Sequence, residues 1–208
     1  MIDTATAACS VALIEDGAVI AHIYETVGRG HAERLLPMIA ELPDGGRADH
    51  ILVDCGPGSF TGVRVGVAAA RGLSLGWSAQ VTGYSSLAAI AAAHFEHNAD
   101  DHALAVVIEG GHGEVFLQGF TTSPLTPDGA LASRTPTDAL AALAGRRAIG
   151  SGVHRLAALD PTLAPSDALP DAASALLLPA DLATLPPVPL YGRAPDAVPQ
   201  AIRINAVR

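Results

Sequence analysis

The residues of this chain best suited to chemistry lie in one glycine-rich loop at positions 56–64, which reads Gly-Pro-Gly-Ser-Phe-Thr-Gly-Val-Arg. Free backbone N–H groups at the start of a following helix bind anions, and either Ser59 or Thr61 can cap that helix. The residues of a possible nucleotide or anion loop are Gly56, Gly58, Ser59, Thr61 and Arg64. A purely structural turn, which lets the helix pack closely on a sheet, is an equally good interpretation.

The loop differs from three well-known phosphate-binding or catalytic loops. A dinucleotide fingerprint requires a glycine where Thr61 stands. A Walker loop requires Gly-Lys-Ser/Thr where residues 62–64 read Gly-Val-Arg. A nucleophile elbow requires glycines two positions before and after its serine, but Pro57 and Thr61 flank Ser59 there. The sequence therefore excludes these three kinds of loop.

The residues around the loop predict the elements that position it. Residues 51–55 are apolar and β-branched, which predicts a strand, and residues 63–76 are rich in Ala, Val and Leu and free of proline, which predicts a helix. Two apolar runs between residues 8 and 24 flank a turn containing Gly17 and predict a hairpin. With a helix over 32–42, the order β-β-β-α-β-α-β-α predicts a mixed sheet covered by helices.

A second, smaller unit follows. Two strands, then a helix, a short strand and another helix, are predicted between residues 103 and 159. The last part of the chain is rich in proline, and we expect it to run back over the body as an extended tail. The predicted organisation is an N-terminal lobe of residues 1–98 and a C-terminal lobe of residues 99–208.

Charge and composition narrow the function further. The net charge of -9 is spread evenly, because residues 1–98 carry 10 acids against 5 arginines (-5) and residues 99–208 carry 11 against 7 (-4). This distribution argues against nucleic-acid binding by the chain alone. All 12 basic residues are arginines, which excludes Schiff-base chemistry. Cys9 and Cys55, with no secretory signal before them, predict a reduced cytoplasmic protein that does not bind a membrane.

A cluster of polar residues near the end of the first lobe has metal-ligand character. Its members are His94, Glu96, His97, Asp100, Asp101 and His102. Two of these histidines share a helix face, but the spacing fits no standard structural zinc motif. A solvated helix end is the favoured interpretation, and zinc binding is the alternative.

The helix after the loop has a face of small residues, namely Gly62, Gly66, Ala69 and Ala70. Glycine destabilises a helix interior by roughly 0.5 to 1 kcal/mol unless packing offsets it. We therefore expect a second helix to lie there, which is the 32–42 helix of this chain or one of a pair from another subunit, and we favour both together in a helical bundle across the interface. Arg64 and Arg71, two turns apart, are suited to gripping a phosphate or a partner's carboxylate.

Five stretches of the chain match a known pattern. They are Asp3-Thr4-Ala5-Thr6, residues 9–13, His31 with residues 35–37, the loop at 56–64, and residues 189–197. Together they resemble the TsaB (YeaZ) family, strongly over residues 2–96 and weakly over 99–188. The resemblance implies a two-lobed α/β fold of the actin-like (ASKHA) type, with mixed sheets flanked by helices and a smaller second lobe.

The resemblance also implies a function. It indicates a non-catalytic subunit, without intrinsic cofactor or metal, that activates a TsaD-like catalytic subunit in forming threonylcarbamoyladenosine in tRNA. It implies a TsaE-like ATPase as a further partner, a homodimer when the chain is alone, tRNA contact only through the complex, and ATP or ADP at the interface with the catalytic subunit. The predicted partner interface consists of His31, Leu35, Gly62, Gly66, Ala69, Ala70 and Arg71.

Two other functions remain as alternatives. An M22-type metallopeptidase needs paired metal ligands, but Leu35 stands where TsaD-type proteins have a second histidine one turn after His31. An active actin-like ATPase or kinase needs glycine in its first phosphate hairpin, where this chain has Ala5. Asp3 beside it has two interpretations, as a ligand of a magnesium nucleotide or as a structural residue.

Overall fold

The computed structural model describes residues 1–192 and shows two α/β units, of which the second repeats the order of the first six strands and helices of the first. The first unit contains β1 (Ile2–Asp3), β2 (Ala8–Glu15), β3 (Ala18–Thr26), α1 (His31–Glu41), β4 (His50–Asp54), α2 (Phe60–Trp77), β5 (Gln80–Tyr84) and α3 (Ser86–His97). The second contains β6 (Ala103–Glu109), β7 (Val115–Thr121), β8 (Thr126–Arg134), α4 (Pro136–Leu143), β9 (Ala148–Ile149) and α5 (Val153–Ala157). Short 3-10 segments lie at Pro43–Gly46, Gly111–Gly113 and Ala172–Leu177.

The two sheets repeat one topology. The strand order is β3-β2-β1-β4-β5 in the first sheet and β8-β7-β6-β9 in the second. In each sheet the first strand pairs antiparallel with the second strand and parallel with the strand after the first helix. The run from β6 to α5 therefore corresponds, element by element, to the run from β1 to α2.

Three hydrophobic cores bind the layers together. One lies between the first sheet and the helices α1 and α2, and includes Val11, Met38 and Val67. A second lies between the two sheets, where α3 packs against strands of both. The third covers the outer face of the second sheet with α4 and α5. The helix α3 precedes the predicted lobe boundary at residues 98 and 99, yet it packs between the sheets.

The predicted mixed α/β fold and the order of elements in the first unit are confirmed. The helix α2 begins at Phe60, three residues before the predicted start, because Ser59 caps it by accepting the N–H of Gly62 at 3.2 Å. The edge strand β8 was not predicted, since Pro127 and Gly129 interrupt its pattern. Residues 193–197 of the tail motif lie outside the described residues, and no helix within 1–192 is long and apolar enough to cross a membrane.

Candidate functional site

The glycines of the loop allow the turn between β1 and β2 to approach α2 very closely. A Cβ atom on Gly58 would overlap the carbonyl oxygen of Ala5, and one on Gly62 would overlap that of Thr4. The hydroxyl of Thr4 donates to the carbonyl oxygen of Gly62 at 2.7 Å. Gly56 has a φ of 93°, which favours glycine. The loop and the turn therefore form one packed unit.

Several N–H groups that an anion would need are already used within this unit. Gly56 donates its N–H to Asp54 at 2.6 Å, and Ser59 donates its N–H to the carbonyl oxygen of Ala5 at 2.6 Å. The N–H of Gly62 is bound to the Ser59 hydroxyl. Of the two interpretations of the loop, these contacts favour the structural turn.

Two carboxyl groups lie buried directly beneath this unit. Asp3 ends β1 and Asp54 ends the neighbouring parallel strand β4, and the register Ile2 to Val53 places them side by side. Both are fully buried. One oxygen of Asp3 accepts the N–H of Ala5 at 2.9 Å, while one oxygen of Asp54 accepts the Gly56 N–H and, at 2.8 Å, the hydroxyl of Ser86.

Burial disfavours the charged form of both carboxyls. Desolvation raises the pKa of Asp54 to about 7, against the hydrogen bonds from Ser86 and Gly56, which lower it. Desolvation, with the charge of Asp54 beside it, raises the pKa of Asp3 well above its usual range. Asp3 does not line the cleft between the two units. In this structure its side chain is part of the interior and faces no ligand space.

A cleft of about 840 Å³ lies between the two units, where their equivalent loops face each other. The first unit contributes residues 5–7 and 58–60, and the second contributes residues 109–112 and Ser151. Phe60, Phe116 and Tyr191 give the lining aromatic character. The cleft connects the glycine-rich loop to the second unit.

One wall of this cleft is the chain's own last described segment, residues 185–192, here called the strap. Leu185 pairs with Gly83 at the edge of β5, and Leu190 donates its N–H to the carbonyl oxygen of Cys55 at 2.8 Å. At its far end Gly192 accepts the N–H of Ser133 at 3.1 Å. The strap therefore crosses from the first sheet to the second.

The two arginines of α2 hold the strap. Arg64 donates to the hydroxyl of Tyr191 at 2.9 Å, and its guanidinium lies 3.4 Å from the ring centre of Phe60. Arg71 donates to the carbonyl oxygen of Pro187 at 2.8 Å. Within this chain, both arginines thus grip neutral groups of the strap.

The predicted partner face is corrected by the structure, because most of its members point inward. His31, Leu35, Gly62, Gly66 and Ala70 are buried. A Cβ on Gly66 would lie 2.5 Å from the Thr4 hydroxyl oxygen and 3.6 Å from a methyl of Val53. Ala69 is half-buried and only Arg71 is exposed. The small face of α2 packs on its own sheet, so these buried residues do not present a surface to another subunit in this structure.

The exposed face of the first unit lies on the other side of the same two helices. We define this outer face by Leu36 of α1 and by Phe60, Ala68, Gly72 and Leu75 of α2. The side chain exposures are 52% for Leu36, 62% for Phe60 and 86% for Leu75. A Cβ atom on Gly72 would meet no other atom within 4 Å. The side chains of Leu36 and Leu75 leave apolar surface exposed, whereas the Phe60 ring lies under the guanidinium of Arg64 and also lines the cleft.

The histidine cluster is drawn into separate hydrogen bonds. His94 bonds Asp101 at 2.7 Å, and Arg147 donates to the same carboxylate at 2.9 Å. His97 bonds the carbonyl oxygen of Ala93 in its own helix. Across residues 1–192, the structure shows no group of three side chains placed to hold a metal ion.

Sequence reasoning did not identify Asp54, Ser86 or Tyr191 as site residues. Asp54 carried a signal, because it ends an apolar strand whose parallel neighbour also ends in an aspartate. Ser86 is 32 residues away in sequence from Asp54, and Tyr191 is 127 residues away from Arg64. No local spacing rule connects positions that far apart.

Two units of the same βββαβα order, facing each other across a cleft, define a protein of the two-lobed actin-like class. Two solved Pseudomonas aeruginosa structures share this architecture. One is titled YeaZ (TM-score 0.77, 29% identity, covering 91% of this chain and 97% of that one). The other is described as an uncharacterized protein with similarity to peptidase YeaZ (TM-score 0.77, 28% identity, covering 92% and 97%).

The proteins related in sequence indicate the same family as the related structures. The family profile described as TsaD, tRNA N6-adenosine threonylcarbamoyltransferase, matches residues 23–134. The tRNA threonylcarbamoyladenosine biosynthesis protein TsaB of Escherichia coli is 42% identical over 55% of this chain and 51% of its own length. An uncharacterized Mycobacterium tuberculosis protein is 32% identical over 97% of this chain and 94% of its own. This chain belongs to the TsaB (YeaZ) family, and its match spans about half the length of the curated TsaB relatives.

Proposed function

We propose that this chain is a non-catalytic cytoplasmic subunit that binds a TsaD-like catalytic subunit and activates it in forming threonylcarbamoyladenosine in tRNA. The relatives' names support the pathway, since three of them are called tRNA threonylcarbamoyladenosine biosynthesis protein TsaB. The family profile of the transferase itself also matches this chain, which supports two subunits of similar architecture.

The observation that carries the proposal is the uncovered outer face. Leu75 exposes 86% of its surface near the end of α2, and Leu36 exposes 52% on the adjacent helix α1. On α2, Ala68 and Gly72 are small and exposed, which leaves room for another backbone to come close. Apolar helix faces with small central residues pack well against a second helix pair. We assign this face to the catalytic subunit, or to a second copy of the chain when that subunit is missing.

The proposed site of nucleotide binding is the junction with the catalytic subunit. Arg64 is bound to Tyr191 and packed on Phe60, so the cation at the mouth of the chain's own cleft is already engaged. The net charge of -9 favours tRNA contact through the complex. A TsaE-like ATPase completes the proposed assembly.

The experiment compares Leu75→Glu with a matched control on the second unit. Leu159, beside α5, is 51% exposed and lies far along the chain from the outer face, so Leu159→Glu introduces the same charge elsewhere. Burying a carboxylate in an apolar contact weakens association, and we expect a loss of about ten- to a hundredfold in affinity for Leu75→Glu. Leu159→Glu should bind like the wild type.

Titration calorimetry with the TsaD-like protein measures the affinity, and light scattering measures self-association. Far-ultraviolet circular dichroism verifies that both variants stay folded. Threonylcarbamoylation of tRNA by the assembled subunits should fall in parallel with the affinity. Equal affinities for Leu75→Glu and the wild type would show that α2 does not form the interface, and intact modification by the catalytic subunit alone would refute the assigned role.

A further inference from the structure

Each of the two buried carboxyl groups beneath the loop, Asp3 and Asp54, has one oxygen without a hydrogen bond from the surrounding described residues. Within residues 1–192, the second oxygen of Asp3 and the second oxygen of Asp54 receive no hydrogen bond from any donor other than each other's carboxyl. Both side chains are fully buried. Two ionised carboxylates buried next to each other repel each other strongly.

The titratable groups around this pair in the described part of the chain are Asp171, before the 172–177 segment, Tyr84 of β5 and the two cysteines. The Met1 amino group, next to the start of β1, donates to the carbonyl oxygen of Ala12 at 2.7 Å, and burial lowers its pKa to about 6. From α3 the facing group is the hydroxyl of Ser86.

The side of the sheet covered by α1 and α2 supplies no cation to the pair either. The imidazole of His31 on α1 is bonded to the carbonyl oxygen of Ala8. Gly62 and Gly66, the residues of α2 that approach β1, have no side chains. The described surroundings therefore neutralise neither carboxylate.

We propose that Asp3 and Asp54 share one proton between their facing oxygens, and that this proton locks the β1–β2 turn to the glycine-rich loop. Asp3 carries the proton and donates it to Asp54. Asp54 keeps its other oxygen for the N–H of Gly56 and the hydroxyl of Ser86. A shared proton satisfies both orphaned oxygens at once and leaves one negative charge in place of two.

The lock acts through a short chain of contacts. Asp3 accepts the N–H of Ala5, and the carbonyl oxygen of Ala5 accepts the N–H of Ser59 at 2.6 Å. Asp54 accepts the N–H of Gly56 at the other end of the same loop. If the proton leaves to solvent, the like charges drive the ends of β1 and β4 apart, and the turn and the loop loosen together.

The pH dependence follows from the raised pKa values of both groups. In the unfolded chain both carboxyls ionise near pH 4, whereas the folded pair still holds a proton at neutral pH. Unfolding therefore releases a proton, and higher pH favours the unfolded state. The contribution of the pair to stability is complete below about pH 4 and is lost as the pH rises through the folded pKa values.

Denaturant unfolding of wild type, Asp54→Asn and Asp3→Asn between about pH 6 and pH 8.5 tests the proposal. An asparagine amide donates to the remaining carboxylate without needing a shared proton. We expect the wild-type unfolding constant to rise about tenfold per pH unit relative to Asp54→Asn for each extra proton held. Asp100→Asn, a change at an exposed carboxyl, should keep the wild-type slope.

Two measurements on the intact wild type complete the test. Infrared difference spectra at neutral pH should show the C=O band of a protonated carboxyl, absent from Asp3→Asn. Amide exchange in residues 56–62, normalised to β7 in the same molecule, should speed up at high pH in the wild type alone. A missing band or parallel pH profiles would overturn the proposal. If Mg²⁺ or Ca²⁺ stabilised the wild type at high pH but not Asp54→Asn, the proposal would be wrong, because a bound cation and not a shared proton would neutralise the pair.

Discussion

The first strand of each unit ends in an acidic residue, and the two acids behave in opposite ways. Asp3 ends β1, is fully buried and faces Asp54. Glu109 ends the corresponding strand β6, is exposed and accepts a hydrogen bond from Arg155 of α5 at 3.1 Å. Both strands thus end in a carboxyl group, but one is neutralised by a proton and the other is paired with a cation. Burial decides which, because water can support the exposed charge and cannot reach the buried one.

The helices α2 and α5, which hold corresponding places in the two units, differ as well. The helix α2 has 18 residues and an apolar outer face, whereas α5 has 5 residues. The start of each helix needs a glycine. A Cβ on Gly62 would overlap the carbonyl oxygen of Thr4, and one on Gly152 would lie 2.8 Å from a backbone atom of Ile108. Close approach of a helix start to the sheet is therefore common to both units, while the exposed apolar face belongs to the first. This difference is the reason why we propose α2 as the partner surface.

The largest expected loss of stability comes from a substitution that tests the close approach of α2 to the β1–β2 turn. Gly62→Ala places a methyl group against the carbonyl oxygen of Thr4, and the backbone there is fixed by the hydrogen bond from the Thr4 hydroxyl. We expect a loss of about 3 kcal/mol in the free energy of unfolding, at the upper end for overpacking. Thermal and denaturant unfolding measure it.

Gly72→Ala is the matched control on the same helix. Its methyl group would meet open space, and alanine favours a helix over glycine by about 0.5 to 1 kcal/mol. The control should therefore be slightly more stable than the wild type. Similar stabilities for both variants would mean that the turn yields and that glycine at position 62 serves no packing purpose.

The sequence was sufficient to predict the α2 helix and to limit its capping residue to Ser59 or Thr61, but not to predict the direction in which its small face points. A glycine permits close approach without saying whether a helix or a strand approaches. Gly66 was therefore assigned to a helix partner, although it packs on Thr4, next to β1. A test by Gly66→Leu would overpack the chain's own core, which is why the interface test uses Leu75.

The buried pair was missed for a different reason. The sequence shows that Asp3 and Asp54 each end an apolar strand, but their contact depends on β1 and β4 being neighbours. The order of strands in a sheet is a long-range property, set by packing across the whole unit. The strap shows the same limit, because its contact with Arg64 joins residues that are far apart in the described chain.

A smaller loss of stability should distinguish two adjacent serines beneath the loop, Ser86 and Ser85. Ser86→Ala removes the hydroxyl that donates to Asp54, and we expect a loss of about 1 to 2 kcal/mol in unfolding free energy. Because that hydrogen bond lowers the pKa of Asp54, its removal should raise this pKa further and make the loss greater at high pH. Denaturant unfolding at two pH values measures both effects.

Ser85→Ala is the natural comparison. The Ser85 hydroxyl oxygen is buried and has no hydrogen-bond partner in residues 1–192. Removing an unsatisfied polar group is close to neutral or stabilising. Equal losses at both positions would mean that general packing, and not the bond to Asp54, accounts for the Ser86 effect.

The smallest effect lies at the exposed acid of the second unit. Glu109→Gln removes the charge that Arg155 faces, but both side chains are about half exposed, with 55% and 45% of their surfaces accessible. Solvent and salt screen such a pair, so we expect a change below about 0.5 kcal/mol in unfolding free energy that disappears at high salt.

A double-mutant cycle with Arg155→Gln isolates the pair. A coupling above about 1 kcal/mol that survives high salt would show that this acid is held as tightly as Asp3, and the contrast between the two strand ends would fail. Salt should have little influence on Asp54→Asn, because ions do not reach a carboxyl pair that is fully buried.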